Sequence, residues 1–119
     1  MHEASAVEAL VRMVSEEARA RAPAGGPTPR VTRIDLVVGT QTGYMEEALA
    51  FYLERLAPGG PAEGAALGVR YVRPTLRCAS CGAEFERRRF SFECPDCGGQ
   101  GRPTGVGTEF YVESIELES

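Results

Sequence analysis

The sequence lacks several features that would identify a catalyst or a membrane protein. It has no tryptophan and no lysine, and His2 is the single histidine among 119 residues. With one histidine near the start of the chain, neither a Ser-His-Asp nor a Cys-His arrangement can be built in a pocket, and no glycine-rich phosphate loop is present. No apolar run reaches the roughly eighteen residues that would span a membrane. We therefore expect neither an enzyme nor a membrane protein.

Charge and the opening residues limit the compartment and the partners. The net charge of -4 and the pI of about 5.1 argue against nucleic acid as the main partner. The sequence does not open with a basic region followed by an apolar stretch, as a secretory signal would. We therefore expect a cytoplasmic protein whose thiols stay reduced. Its four cysteines are then expected to be metal ligands and not disulfide partners.

The apolar pattern predicts two helices. Residues 5–21 read as an amphipathic helix, with Ser5 and Glu8 as a capping box at its start. A second helix is expected to follow a cap at Thr42 or Gly43. The apolar face of the first helix is predicted to hold Val7, Leu10, Val11, Val14 and Ala18. That of the second is predicted to hold Met45, Ala48, Leu49, Tyr52 and Leu56.

Three segments rich in β-branched and aromatic residues, 31–38, 67–73 and 109–117, are predicted to be strands. The expected fold class is α/β (α+β), a small three-stranded mixed sheet with two helices and an inserted cysteine module. Residues 74–107 carry few aliphatic side chains, so they cannot form a hydrophobic core of their own and need a cross-link, such as a bound metal, to fold. The predicted domains are residues 1–73 with 108–119, and residues 74–107.

The four cysteines form two CxxC pairs. Cys78 and Cys81 are separated from Cys94 and Cys97 by twelve residues. Each pair can present two thiolates from one tight turn, and four thiolates suit tetrahedral zinc with no open position. Iron is the rival metal, because the pairs also resemble rubredoxin knuckles. A redox CxxC is less favoured, since such motifs usually occur singly near a helix N-terminus.

The single histidine stands next to the N-terminal amine. The Met1 amine and the His2 amide can close one chelate ring on a metal, and the His2 amide and imidazole Nδ1 can close a second. The Glu3 amide or carboxylate can supply a fourth donor. Such nitrogen-rich, tetragonal donor sets favour Ni(II) or Cu(II). From this chemistry alone, a solvated chain terminus with no ligand role stays an alternative.

Several motifs together resemble one known family. They are MHE at the start, VGTQTGYMEEAL after the first predicted strand, the paired CxxC insert and the final EFYVESIEL. In this combination, which covers nearly the whole chain, the sequence is similar to HypA/HybF, nickel metallochaperones of [NiFe]-hydrogenase maturation. The resemblance implies a metallochaperone and not an enzyme.

The resemblance also implies a ligand set and partners. Nickel would be held by His2 and Glu3 with backbone nitrogens, and zinc by the four cysteines. Some family members carry an acidic residue near the start of the second helix, where this chain has Met45. The implied partners are a HypB-type GTPase and a hydrogenase large-subunit precursor, with urease as a further recipient in some organisms. No nucleic acid or membrane partner is implied.

Two other functions remain open at this stage. A zinc-ribbon nucleic-acid-binding module would use the basic run Arg87 to Arg89 and stack bases on Phe85, Phe90 and Phe92. The net negative charge of the chain argues against this function. A rubredoxin-like electron carrier would bind iron and leave His2 without a role. The loops at 58–64 and 98–107 would permit strand exchange, so both a monomer and a homodimer are compatible with the sequence.

Overall fold

A computed structural model of the chain describes residues 3–88 and 91–118. Within them, two helices and two three-stranded sheets form, which confirms the predicted fold class. The sheets have the strand orders β2-β1-β6 and β4-β3-β5. The helices are α1 Glu3–Ala20 and α2 Glu46–Leu56. The strands are β1 Arg30–Gly39, β2 Ala66–Val72, β3 Thr75–Cys78, β4 Glu84–Glu86, β5 Gly101–Pro103 and β6 Phe110–Glu118.

The chain divides into two compact units. One comprises the described residues of Met1–Leu36, Tyr44–Arg70 and Tyr111–Ser119, and the other comprises those of Val37–Gly43 and Tyr71–Phe110. The domain division expected from the sequence stays a prediction. The units depart from it chiefly by placing Val37–Gly43 with the cysteine-rich segment.

Helix α1 buries four of the five residues on the face that its periodicity predicted, whereas Val11 is only half-buried. Val7, Leu10, Val14 and Ala18 are each 3% exposed or less, as expected for apolar residues three and four positions apart on one side of a helix. The predicted capping box is wrong, because the chain is already helical at Glu3 and Ser5 lies inside the helix. An acidic residue in the first turn interacts favourably with the positive end of the helix dipole, and Glu3 occupies that turn.

Strand β1 forms the centre of its sheet and carries much of the core. The segment from Val31 to Gly39 contains five fully buried aliphatic side chains, as expected for a strand covered on both faces. The Gly39 N–H donates to the Glu109 carbonyl at 2.7 Å, and Thr32 Oγ1 donates to the Glu116 carbonyl at 3.2 Å. Since the partner numbers fall as the β1 numbers rise, β1 and β6 run antiparallel.

The start of α2 differs from the prediction. A short 3₁₀ turn, Thr40–Thr42, ends at Gly43, whose φ of 75° is the left-handed conformation that glycine adopts readily. The chain is extended again at Met45, which is the N-cap of α2 with φ -102° and ψ 136°. The predicted cap at Thr42 or Gly43 is therefore wrong, because Gly43 terminates the preceding turn instead of opening the helix.

Helix α2 contacts α1 and buries a narrow stripe of side chains. Its buried residues are Leu49, Leu53 and, just beyond the helix, Ala57, spaced four positions apart. The predicted face was wrong in two members, since Met45 is 63% exposed and Leu56 is 38% exposed, and it did not include the buried Leu53. Neither helix of the described residues has the length and apolar character needed to cross a membrane.

Candidate metal centres

Two tight turns of the same geometry present the cysteines. The Cys78 carbonyl accepts the Gly82 N–H at 3.0 Å, and the Cys94 carbonyl accepts the Gly98 N–H at 2.9 Å. Both glycines have positive φ, 77° at Gly82 and 76° at Gly98, which a residue with a Cβ adopts only at a cost. These glycines therefore allow the chain to turn back after each CxxC pair.

Short strands tie the two turns together. Strand β3 pairs antiparallel with β4 on one side and with β5 on the other. The Ala79 N–H in the first turn donates to the Gln100 carbonyl at 2.9 Å, and the Gly101 N–H donates to the Phe92 carbonyl at 2.7 Å. Backbone pairing therefore brings the second CxxC turn over the end of β3, where Cys78 lies.

The four sulfurs form a compact cluster. The Sγ atoms of Cys78, Cys81, Cys94 and Cys97 all lie within 4.8 Å of one another. The Cys78–Cys97 sulfurs are 3.5 Å apart and the Cys81–Cys94 sulfurs 3.8 Å, well beyond the ~2.05 Å of a disulfide bond. Four sulfurs at about 2.3 Å from a tetrahedral zinc lie about 3.8 Å from one another. The cluster therefore fits a zinc site.

The electrostatics of the cluster favour a bound cation. Backbone N–H groups of Cys81 and Ser80 donate to the Cys78 sulfur and lower the pKa of its thiol to about 6. The Gly99 amide lowers the pKa of the Cys97 thiol, but the neighbouring sulfurs of Cys78 and Cys81 outweigh it and raise that pKa to about 12. Crowded sulfurs thus resist full ionisation, and a divalent cation would displace the remaining protons.

Packing around the sulfurs indicates a structural role. Cys78 and Cys94 are each 2% exposed, whereas Cys81 and Cys97 are exposed. A Cβ atom at Gly99 would lie 2.8 Å from the Cys78 sulfur, so a larger residue there would crowd that ligand. Four protein ligands complete a tetrahedral shell, which leaves no position for water or substrate. Zinc in this cluster would hold the turns together without chemistry of its own.

The second candidate centre is the start of the chain. His2 lies outside the described residues, and Glu3 is the first residue of α1. The Glu3 Oε2 atom accepts the backbone N–H of Met45 at 3.1 Å. The structure therefore brings Glu3 to the position where the resemblance places a family acid. Sequence reasoning missed this contact because 42 positions separate the two residues and no local pattern marks it.

The structure describes only part of the residues that the nucleic-acid alternative would use. The Arg87 guanidinium lies 5.8 Å from the centre of the Phe92 ring, which is 41% exposed. Arg77 of the same module pairs with Glu84 at 2.9 Å. Arg89 and Phe90, which that interpretation also used, lie outside the described residues.

Comparison with known proteins gives consistent matches. The family model described as "Hydrogenase/urease nickel incorporation, metallochaperone, hypA" matches residues 1–117. The hydrogenase maturation factor HypA of Caldanaerobacter subterraneus subsp. tengcongensis is 44% identical over 119 residues, which cover 99% of this chain and 100% of that protein. HypA of Methanocaldococcus jannaschii is 31% identical over 121 residues, which cover 99% of this chain and 98% of that protein.

A solved structure shows the same fold. The solution structure of the Ni metallochaperone HypA from Helicobacter pylori superposes with a TM-score of 0.66 at 20% identity, covering 100% of this chain and 99% of that one. The family match spans both the opening residues and the four-cysteine cluster. The chain therefore belongs to the HypA family, whose members are nickel metallochaperones of hydrogenase maturation and not enzymes.

Proposed function

We propose that this chain binds one Ni(II) ion at its N-terminus and delivers it for the maturation of a [NiFe]-hydrogenase. The donors are the Met1 amine, the His2 amide and imidazole, and Glu3. Nickel is the cargo in this proposal, and zinc in the cluster of Cys78, Cys81, Cys94 and Cys97 is the resident structural ion. Nitrogen-rich donor sets suit Ni(II), whereas thiolate sets suit zinc, so each ion has its own site.

The contact between Glu3 and Met45 carries the proposal. It places the residue that directly follows His2 beside the start of α2. Two helix starts, each with a partial positive charge, would repel a cation. Glu3 in the first turn of α1 and Glu46 and Glu47 in the first turn of α2 supply negative charge at these two ends. This part of the molecule can therefore accept a divalent cation.

The family assignment supports the proposed partners. A hydrogenase maturation factor must pass nickel to another protein, and a HypB-type GTPase and a hydrogenase large-subunit precursor are the partners we propose, in the cytoplasm. The name of the matching family model also includes urease, which we propose as a second recipient. A transfer assay from the nickel-loaded chain to an apo-precursor, with and without the GTPase, tests these partners directly.

Nickel binding is expected to weaken in acid. Histidine has an ordinary pKa of about 6.5 and binds a metal only when it is neutral. An amide that ligates nickel releases a further proton. We expect zinc-loaded protein with a native N-terminus to bind one nickel per chain, with affinity falling steeply between roughly pH 7.5 and 6. Calorimetry in buffers of different ionisation enthalpy should count more than one proton released per nickel. A flat affinity across this range would exclude His2.

Met45 offers a second test of where nickel binds. We expect Met45→Asp to raise nickel affinity, because the new carboxylate would lie beside Glu3 and nickel would relieve the repulsion between the two. The matched control is Met45→Asn, which caps a helix about as well as Asp but carries no charge. An exposed charge interaction of about 0.7 kcal/mol corresponds to a difference of about threefold. The affinities would be measured by competition with a chelator. Equal affinities of the Asp and Asn variants would show that nickel does not bind beside residue 45.

A further inference from the structure

The four cysteines of the cluster differ in how far solvent reaches them. The first members of the two CxxC pairs, Cys78 and Cys94, are buried, whereas the second members, Cys81 and Cys97, are exposed. A shell of four thiolates leaves a bound metal no open position, but it does not shield a sulfur that faces solvent. Oxidation of cysteine depends on thiolate character and on exposure. A dissolved oxidant can therefore reach the cluster at Cys81 and at Cys97.

Each exposed sulfur lies close to a buried sulfur of the other turn. The Cys97 and Cys78 sulfurs are 3.5 Å apart, and the Cys81 and Cys94 sulfurs are 3.8 Å apart. A disulfide bond brings two sulfurs to about 2.05 Å, so each pair needs an approach of less than about 2 Å. The pairing of β3 with β5 holds the backbone together beside the cluster. Both exposed sulfurs thus have a partner for a disulfide in the opposite turn.

We propose that the cysteine cluster is a site of reversible oxidation by hydrogen peroxide. The products are two disulfides that join the turns, Cys78–Cys97 and Cys81–Cys94, and they form while the cluster is still folded. Since a metal is bound by thiolates, the oxidised cluster no longer holds zinc. The inference rests on the structural zinc of the proposed function and does not involve the nickel donors.

Each disulfide forms in two steps. The exposed thiolate attacks one oxygen of the peroxide, the O–O bond breaks, and the sulfur becomes a sulfenic acid as hydroxide leaves. The buried thiolate of the other turn then attacks that sulfur, which forms the S–S bond and releases a second hydroxide. Two protons from solvent convert the hydroxides to water, so each pair of thiolates reduces one peroxide. A dithiol reductant restores the thiolates by exchange.

The disulfide connectivity shows whether oxidation occurs in the folded cluster. The proposed partners are 19 and 13 positions apart in the chain, whereas the two cysteines of one CxxC pair are neighbours in sequence. In an unfolded segment the shortest loops are the easiest to close, so each CxxC pair would form its own disulfide. Disulfides between the turns require that the fold holds them together. They also replace zinc as the cross-link that a segment with little core needs.

Trypsin distinguishes the two connectivities. It cleaves after arginine, here after Arg77 and within the basic run 87–89, and the single later arginine precedes proline and resists cleavage. The first CxxC pair then lies in the peptide 78–87 and the second pair in the peptide 90–119. Disulfides between the turns keep these two peptides joined, whereas disulfides within each CxxC pair leave them separate.

Zinc-loaded, full-length protein should be treated with a molar excess of hydrogen peroxide, blocked at its free thiols and digested. A chromogenic chelator measures the released zinc, and mass spectrometry identifies the peptides. We expect one zinc to be released per chain and the two peptides to be joined, with fragmentation linking Cys78 to Cys97 and Cys81 to Cys94. Dithiothreitol and added zinc should then restore one zinc per chain. In the control, the same protein is unfolded in guanidinium with a chelator before oxidation, and its peptides should be separate.

Three results from zinc-loaded protein would overturn the inference alone. They are zinc that is retained in peroxide, separate peptides from the folded protein, and oxidation to sulfinic or sulfonic acids that dithiothreitol does not reverse. The zinc content before treatment tests the proposed function independently. A chain that binds no zinc before peroxide is added would contradict the structural zinc of the proposed function, and the inference would fail with it.

Discussion

Replacing Cys94 or Cys97 with serine is expected to lower the zinc content well below one ion per chain and to unfold the cysteine-rich segment. The four sulfurs lie within 4.8 Å of one another, and strands β4 and β5 have only three residues each. Such short strands cannot hold this arrangement alone. Zinc binding supplies on the order of 10 kcal/mol or more of folding free energy in small zinc peptides, and most of it would be lost. Metal analysis and hydrogen exchange across residues 74–107 would measure the two effects.

The matched control for the cysteine variants is Asp96→Ser. Asp96 lies between Cys94 and Cys97, is exposed, and receives the same replacement residue within the same turn. We expect it to keep one zinc per chain. Helix α1 should remain folded in all three variants, because Val7, Leu10 and Val14 are buried in the unit that does not contain the cysteines. Full zinc content in both cysteine variants would contradict the four-thiolate site.

Strong periodic or spacing signals in the sequence predicted the elements that depend on them. The apolar spacing of α1 identified its buried face, and the paired CxxC pattern identified the cysteine cluster. Both signals are local, because a helix face or a tight turn is determined by residues a few positions apart. No strand was predicted within the cysteine insert, since runs of three or four residues are too short to show alternation.

The errors fall where tertiary contacts override local rules. The Ser5 and Glu8 pattern is a valid capping signal, but α1 already includes Glu3. In the same way, Thr42 and Gly43 are reasonable caps by composition, yet α2 begins after Met45, whose N–H finds its acceptor in α1. Both errors involve the two residues that this contact joins. A side chain 42 positions away satisfies the start of α2, and no local sequence window contains both partners.

The narrow buried stripe of α2 has a related cause. Periodicity predicted a wide apolar face that included Met45 and Leu56, and both are exposed. The buried side chains within this eleven-residue helix, Leu49 and Leu53, lie four positions apart and therefore form a single line along one side of it. The width of a buried face thus depends on how many neighbours surround the helix, and sequence periodicity alone does not report that number.

Changes at the N-terminus are expected to have the largest effect on nickel binding. His2→Ala removes the imidazole, so the six-membered chelate ring cannot close. A Gly-Ser leader placed before Met1 keeps every side chain but converts the terminal amine to an amide, a much poorer donor, and adds chain where the metal plane would lie. We expect each change to weaken nickel binding by at least about tenfold, a loss of about 1.4 kcal/mol. Calorimetry on zinc-loaded protein would measure it.

The control for the leader is the same Gly-Ser pair added after Ser119, which lengthens the chain equally and leaves the amine free. We expect this variant to bind nickel as the native protein does. Zinc content should be unchanged in all these variants, because the proposed zinc ligands begin at Cys78, far in sequence from the altered residues. The circular dichroism signal of the helices should also persist, since α1 continues to Ala20 with its buried face intact.

The two N-terminal changes test different donors, so their results separate the ligand sets. Weak binding in both variants means that the amine and the imidazole act together, since a chelate that loses either ring loses most of its advantage over single ligands. Native affinity in the Gly-Ser protein, together with weak binding in His2→Ala, would contradict the role of the terminal amine and leave a side-chain site at His2. Native affinity in both variants would show that nickel does not bind at the N-terminus. Position in the chain, and not only residue identity, is therefore the property on which the proposed nickel site depends.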